Sequence, residues 1–311
     1  MALAVLFPGQ GSQFRGMGAD LFDRRPDLLG TATDDILGWS LRRMCLEADD
    51  EELIRTEYAQ PALYAISFAL WDELAKELPE APTAAAGHSL GEYTALAAAG
   101  ALDFRQGLAV VAERGRAMAG AADQEASGMA ALIGVDLDAA ESVTLARRQM
   151  GGRLFVANIN APGQIVVAGG AEDLDWIEAE MANFGIKRVI RLKVGGAFHS
   201  PFMGAAADRL EAALAGVEFG PPHFGVWSNV TAKPHQLEGT KDQLVRQVTS
   251  PVRFAETLQA MAATGIDIFA HVGPGDVTAG LAKRSVPGLR YLAVSDTGGI
   301  LPLVGALGTI D

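Results

Sequence analysis

The sequence predicts an α/β protein, with a largely parallel sheet as its core and a small ferredoxin-like domain inserted into it. Two observations carry this expectation. Short apolar runs alternate with segments of helical period toward both ends of the 311-residue chain. That is the pattern of parallel strands joined by helical crossovers and covered on two faces. Between them, residues 127–197 run strand, helix, strand, strand, helix, strand, the order of a ferredoxin-like unit. The large domain is therefore expected to be discontinuous, 1–126 with 198–311, and the small one to be 127–197. A chain of this length exceeds one minimal core but is short for two full-sized domains, which suits unequal partners.

The elements follow in order. Residues 3–7 form a buried first strand, stopped by Pro8 and Gly9. Helical period governs 26–45 and 60–78. Residues 83–87 run into a sharp turn, and an Ala-rich helix continues through 99. The period is helical again over 104–120. Within the insertion, 128–135 reads as strand and 137–150 as helix. Residues 154–159 and 164–168 form a hairpin about Asn160-Ala161-Pro162-Gly163, 171–184 is helical and 187–194 is a strand. Beyond it come a strand at 224–230, a helix at 252–264, a strand at 267–272, a helix at 275–285 and a last strand at 291–294.

Composition narrows the function. Hydrophobic residues make up 49% of the chain and charged residues 20%, a globular balance. Lys and Arg number 25 against 38 Asp and Glu, a formal net charge of -13, and no basic run interrupts the acidity. Nucleic acid is thereby excluded as an expected partner. Cys45 is the only cysteine, so no intrachain disulfide is possible and a reducing compartment is expected. The apolar start lacks a basic leader region, and nothing approaches the roughly 20 apolar residues of a membrane span. A cytoplasmic location with no membrane partner is the expectation.

Gly87-His88-Ser89-Leu90-Gly91 has the G-x-S-x-G form between an apolar strand and a helix. A serine on such a turn needs neighbours without side chains for its oxygen to project free of the backbone, which gives the core an α/β-hydrolase-like character. The helix beyond offers unpaired N–H groups, that of Leu90 among them, to a developing oxyanion. A glycine-rich turn with a capping serine is the plainer alternative. Cys45 has no glycine turn to expose it and fits core packing better.

Serine needs a base to take its proton. Of the five histidines, His88 should be turned away from Ser89 by the sharp bend, and His223 and His235 are expected at the surface. His199 lies in Gly195-Gly196-Ala197-Phe198-His199-Ser200-Pro201, a glycine-rich loop where the insertion rejoins the large domain and a cleft can form. His271, ending a strand ahead of Gly273-Pro274-Gly275, is its competitor. Arg114 stands out on its helix. At about 100° per residue, Phe104, Leu108, Val111, Gly115 and Met118 share the buried face and Arg105, Glu113 and Arg116 point away. Arg114 falls on the edge of the apolar face, partly desolvated, and needs an anion; a structural carboxylate is the plain partner.

Several separate motifs in order make the chain similar, over essentially its whole length, to the malonyl-CoA:acyl carrier protein transacylases and the acyltransferase domains of polyketide synthases. Phe7-Pro8-Gly9-Gln10-Gly11-Ser12-Gln13 resembles the family's N-terminal signature, and Gly87-His88-Ser89-Leu90-Gly91-Glu92 its nucleophile motif. Ala197-Phe198-His199-Ser200-Pro201 resembles the histidine motif of malonyl-selective members. Val272-Gly273-Pro274-Gly275 and Gly280-Leu281-Ala282-Lys283-Arg284 resemble its C-terminal signature.

The resemblance implies ping-pong transfer of malonyl from malonyl-CoA to the phosphopantetheine thiol of an acyl carrier protein, in fatty acid or polyketide biosynthesis. The coenzyme A thioester is a substrate, no cofactor or metal is implied, and a monomer is the family expectation. Ser89 would be the acylated nucleophile and His199 its base, oriented by a backbone carbonyl of residues 245–247, Gln247 foremost, in place of an Asp. Gln10, through side chain or backbone, would sit at the oxyanion hole with the Leu90 N–H. A dinucleotide loop is the alternative there, but Gly9-Gln10-Gly11-Ser12-Gln13-Phe14 lacks the third glycine. His88, Arg114, Phe198 and Gln247 would line the substrate pocket, with Arg114 holding the free malonate carboxylate bidentately and Phe198 crowding an α-methyl group. Gly196, where many polyketide domains carry His, is a departure that leaves the extender unit open.

Two alternatives keep the serine elbow. One is a trans-acting polyketide acyltransferase for another acyl unit. The other is an acyl-thioester hydrolase or esterase, which would want Asp242 or Asp267 with His271 and an HGGG-type loop that the chain lacks. Carrier proteins are acidic, as is this chain, so the resemblance calls for a local basic docking surface. Lys187, Arg188, Arg191 and Lys193 are its first candidates, and Lys283 with Arg284 its second.

Overall fold

A computed structural model describes residues 2–308. Its strands, in chain order, are β1 (Leu3–Phe7), β2 (Ala84–Gly87), β3 (Ser127–Ile133), β4 (Leu154–Ala161), β5 (Gln164–Gly170), β6 (Arg188–Arg191), β7 (Gly225–Trp227), β8 (Ile268–Val272) and β9 (Arg290–Val294). Five of them form one sheet in the order β7-β2-β1-β8-β9, with every neighbouring pair parallel. β1, β2 and β8 are buried along their whole length, as a sheet covered on both faces requires. The alternation of β1 shows the two covers. Leu3, Val5 and Phe7 join the core built with helices Thr56–Glu77 and Phe104–Ala122. Ala4 and Leu6 join the core built with Phe254, Leu258 and Leu281, from helices Phe254–Ala263 and Val277–Ser285.

The second sheet is antiparallel in the order β4-β5-β3-β6, the ferredoxin-like arrangement, backed by helices Leu137–Gln149 and Ala171–Glu180. It has its own core, in which Leu132, Val143, Ile165, Val167, Leu174 and Ile177 meet. A short parallel bridge ties β4 to the segment of the large domain that precedes helix Phe254–Ala263. The Ile159 N–H donates to the Val252 carbonyl at 2.9 Å, and the Val252 N–H to the Ala157 carbonyl at 2.9 Å. Register shifts in β4 between Val156 and Asn158 and between Ile159 and Ala161 accompany that bridge. Among the described residues no helix is long and apolar enough to cross a membrane.

Several boundaries differ from the sequence expectation. The stretch 26–45 is three short helices, Pro26–Leu29, Thr31–Leu37 and Leu41–Leu46, because Gly38 adopts φ 80 and Ser40 caps the third. The helix expected at 60–78 runs instead over Thr56–Glu77 and carries Pro61 inside it, although proline more often opens a helix than sits in one. Here the burial of Ala62, Leu63, Ile66 and Leu70 outweighs one lost backbone bond. β4 runs on to Ala161, leaving Pro162 and Gly163, the latter at φ 75, to make the turn. The strands expected at 187–194 and 224–230 shorten to β6 and β7. Helices Gly204–Leu214, Thr240–Gln247 and Ile300–Gly308 were not expected, nor was the single turn Asp50–Leu53. The second of these has few apolar residues to set a period, yet it delivers Gln247 to the site.

Candidate active site

The first strand-to-helix turn after β2 presents Ser89 at φ 52, a left-handed conformation that costs a non-glycine residue about 1–3 kcal/mol. Glycine makes the turn possible. A Cβ on Gly87 would lie 1.8 Å from the Gly91 carbonyl carbon, and one on Gly91 would lie 2.3 Å from the Phe7 oxygen at the end of β1. Asn229, just beyond β7, clamps the strained turn. Its Oδ1 accepts the Ser89 N–H at 2.7 Å, and its Nδ2 donates to the Gly87 carbonyl at 2.8 Å.

His199, also at a positive φ of 57, meets Ser89 across 110 residues of sequence. Its Nε2 lies 2.7 Å from Ser89 Oγ, and its Nδ1 lies 2.8 Å from the Gln247 backbone oxygen. A carbonyl can only accept, so Nδ1 carries the proton and Nε2 is free to accept that of the serine hydroxyl. Burial, reinforced by the charge of Arg114, pushes the imidazole pKa down from 6.5 to about 3. The ring is therefore neutral, in the form a base requires.

This shift has a consequence for stability. The unfolded imidazole takes a proton near its ordinary value and the folded one only near 3, so between those values the unfolded state binds more protons. Stability falls as pH drops through that window, by up to roughly 5 kcal/mol from this residue. Wild type should accordingly lose more unfolding free energy than His199→Ala between pH 7 and pH 4, measured by denaturant titration. Parallel losses in the two proteins would contradict the assignment.

Arg114 is more deeply buried than its helix face suggested, at 1% exposure. Its Nη2 donates to Ser89 Oγ at 2.9 Å and to Gln247 Oε1 at 2.9 Å, and Nη1 donates to Gln60 Oε1. The Tyr93 ring lies 5.5 Å from the guanidinium carbon, and Nε has no partner among the described residues. Burial lowers its pKa, but a guanidinium stays charged. All of its hydrogen-bond partners are neutral, so the charge beside Ser89 Oγ has no ion pair among the described residues.

A cavity of about 230 Å³ opens over these groups between the two sheets. Gln10, His88, Leu90 and Phe198 all line it, with Met118, Met129, Val166 and Val194 adding apolar surface. The Gln10 side chain points elsewhere, donating to the Ile54 carbonyl and Thr56 Oγ1, both at 3.2 Å. Its backbone N–H and that of Leu90 donate no hydrogen bond among the described residues. His88 turns away from Ser89, and its Nε2 lies 2.7 Å from Asn160 Oδ1 on the small domain. At the rim, Arg284 donates to Gln164 Oε1 at 2.5 Å.

The rival groups are occupied elsewhere. His271 is fully buried with both ring nitrogens engaged, by Thr278 Oγ1 at 2.6 Å and the Gly273 carbonyl at 3.0 Å. The Cys45 thiol is buried and its pKa pushed well up, so it is no nucleophile. The expectation that His235 lies at the surface is wrong. Its side chain is 4% exposed and its Nε2 lies 2.6 Å from the buried Glu92 carboxylate. The proline-containing connection folds inward there, because His235 completes the hydrogen bonding of a carboxylate that water cannot reach. Sequence reasoning also missed Gln60, Asn160 and Asn229. None sits in a motif that points to catalysis; only the fold brings Gln60 and Asn160 to the cleft and Asn229 behind the Ser89 turn.

Residues 5–286 match the acyl transferase domain family. The malonyl CoA-acyl carrier protein transacylase of Bacillus subtilis is 40% identical over 297 residues, covering 94% of this chain and 93% of that protein. The polyketide biosynthesis protein ThaF of Burkholderia thailandensis is also 40% identical, over 284 residues, but the chain spans only 24% of that longer protein. Among solved structures, a malonyl-transacylase in complex with its type II polyketide acyl-carrier protein superposes with a TM-score of 0.93 at 37% identity, covering 98% of this chain and 100% of that one. With the serine elbow, the histidine and the unpaired arginine in one cleft, and a family match running almost end to end, this chain belongs to the acyl transferase domain family.

Proposed function

We propose that the chain moves malonyl from malonyl-CoA to the phosphopantetheine thiol of an acyl carrier protein, through a malonyl ester on Ser89. The observation that carries this reading is the buried, unpaired Arg114 guanidinium 2.9 Å from the nucleophile. An acyl group with its own carboxylate supplies the missing anion in a charge-assisted fork, whereas an acetyl group would leave it unpaired.

The chain's own residues suffice for the steps, and no cofactor or metal is part of the scheme. Ser89 Oγ attacks the thioester carbonyl while its proton passes to His199 Nε2. The Gln10 and Leu90 N–H groups hold the oxyanion, and as it collapses the coenzyme A sulfur leaves with the proton from His199. The carrier thiol then gives its proton to His199 and attacks the ester, and serine regains its proton. Arg114 also depresses the basicity of His199. A carboxylate bound to Arg114 offsets that field, so the base strengthens once a malonyl group is in place.

The direct assay is incubation with malonyl-CoA, with and without carrier protein. Acyl-carrier formation that outruns release of free malonate is expected. Malonate release at the same rate with and without carrier would make the chain a hydrolase.

Carrier docking is read at the rim of the cleft. Of the first-choice cations, Arg191 already pairs with Asp175 at 2.6 Å and Glu178 at 2.5 Å, which removes the middle of that cluster. Lys283 and Arg284 are exposed, and Arg284 stands at the mouth of the cavity. Reversing both to Glu should raise the carrier-protein KM about 10-fold at low salt, with a smaller effect at high salt. Reversing Lys187 and Arg191 should change it less than about twofold. Unchanged carrier KM in the first variant would remove the docking assignment.

A further inference from the structure

Behind the nucleophile lies a buried polar cluster that the reaction scheme does not use. Glu92, on the helix Gly91–Ala98 that follows the elbow, is 0% exposed. Its Oε2 accepts Gln247 Nε2 at 2.6 Å and the Asn229 N–H at 3.1 Å. Its Oε1 lies 2.6 Å from His235 Nε2, while His235 Nδ1 has no partner among the described residues. A carboxylate only accepts, so the proton between them is on the histidine.

Gln247 joins this cluster to the active site. Its backbone oxygen holds His199 Nδ1 at 2.8 Å, its Oε1 accepts Arg114 Nη2 at 2.9 Å, and its Nε2 also donates to the Ser89 carbonyl at 2.9 Å. An amide can be seated either way round, and Glu92 decides which. The carboxylate must face the NH₂ end, which turns the oxygen toward Arg114; the opposite seating would set N–H against N–H at Arg114 and oxygen against carboxylate at Glu92. His235 holds the second carboxylate oxygen, which otherwise would be buried without a donor.

We propose that Glu92 and His235 form a positioning pair that locks the Gln247 amide. Through that one residue the pair aligns the base and the anion anchor together. Neither touches the acyl group. The arginine arm of the idea rests on the malonyl reading above, while the His199 arm does not.

The experiment compares His235→Ala, His235→Gln and Glu92→Gln with wild type by two readouts. One is the rate at which a fluorophosphonate probe labels Ser89, which reports the dyad without any malonyl group. The other is the split between KM and kcat for malonyl-CoA. Losing the donor in His235→Ala should slow labelling about 10-fold and raise the malonyl-CoA KM severalfold, the scale of a misaligned catalytic group. Glutamine places its Nε2 where the histidine has one, so His235→Gln should recover most of both losses. Glu92→Gln, close in shape, frees the Gln247 amide to turn and should raise the KM about 10-fold; it keeps the test open should His235→Ala not fold. Wild-type labelling and KM in folded His235→Ala or in Glu92→Gln would overturn the proposal, as would a His235→Gln no better than His235→Ala. A wild type that labels but ignores malonyl-CoA would sink the substrate reading, and the labelling rates would still judge the pair.

Discussion

Ser89→Ala is expected to abolish transfer, lowering kcat on the order of 10⁶-fold, the scale on which a serine nucleophile acts together with its base. The expectation follows from how many groups converge on one oxygen. Ser89 Oγ has His199 Nε2 at 2.7 Å to take its proton and Arg114 Nη2 at 2.9 Å to stabilise the alkoxide that results. The Leu90 N–H beyond it carries no hydrogen bond among the described residues. The one thiol offers no substitute, since Cys45 is buried and its pKa raised. Steady-state malonyl transfer with and without the substitution measures the effect, and a thermal melt shows that the fold persists. Residual turnover within about 100-fold of wild type would mean that the ester does not form on this residue.

Arg114→Met should separate activity from stability. Losing the cation that pairs with a desolvated carboxylate is worth about 2–5 kcal/mol in kcat/KM for malonyl-CoA, or roughly 30-fold to several thousandfold. Discrimination against acetyl-CoA should fall with it, because an apolar side chain no longer penalises an acyl group without charge. Stability should move much less. A guanidinium at 1% exposure with no ion pair carries a desolvation penalty that methionine removes while filling much of the same volume. Gln60 Oε1 and Gln247 Oε1 lose that donor, which offsets the gain, so unfolding free energy should stay within about 2 kcal/mol of wild type. Malonyl selectivity that survives the substitution would place the anchor elsewhere.

Much of this was legible in the sequence, for identifiable reasons. The inner strands β1, β2 and β8 are short, mostly apolar runs, because burial on both faces leaves no polar alternation. The insertion was readable because its two helices and four strands keep distinct periods. Ser89 was legible because a strained turn demands glycines at fixed positions, and His199 because its loop sits where two domains join. What escaped depends on long-range packing. Nothing near His235 announces that its ring turns inward to a carboxylate 143 residues away, nor near Asn229 that it will clamp a turn 140 residues distant. The helix Thr240–Gln247 was invisible for a related reason. Leu244 is its one buried aliphatic residue, so tertiary contacts rather than period hold it in place.

The most direct test of the account is to add malonyl-CoA without carrier protein, quench, and map the acyl group by peptide mass spectrometry in wild type and in His199→Ala. One malonyl group on the peptide containing Ser89 in wild type, and none on the same timescale in His199→Ala, is the result that the 2.7 Å contact between imidazole and hydroxyl predicts. Equal loading of Ser89 in both proteins, or malonyl on a different residue, would contradict it.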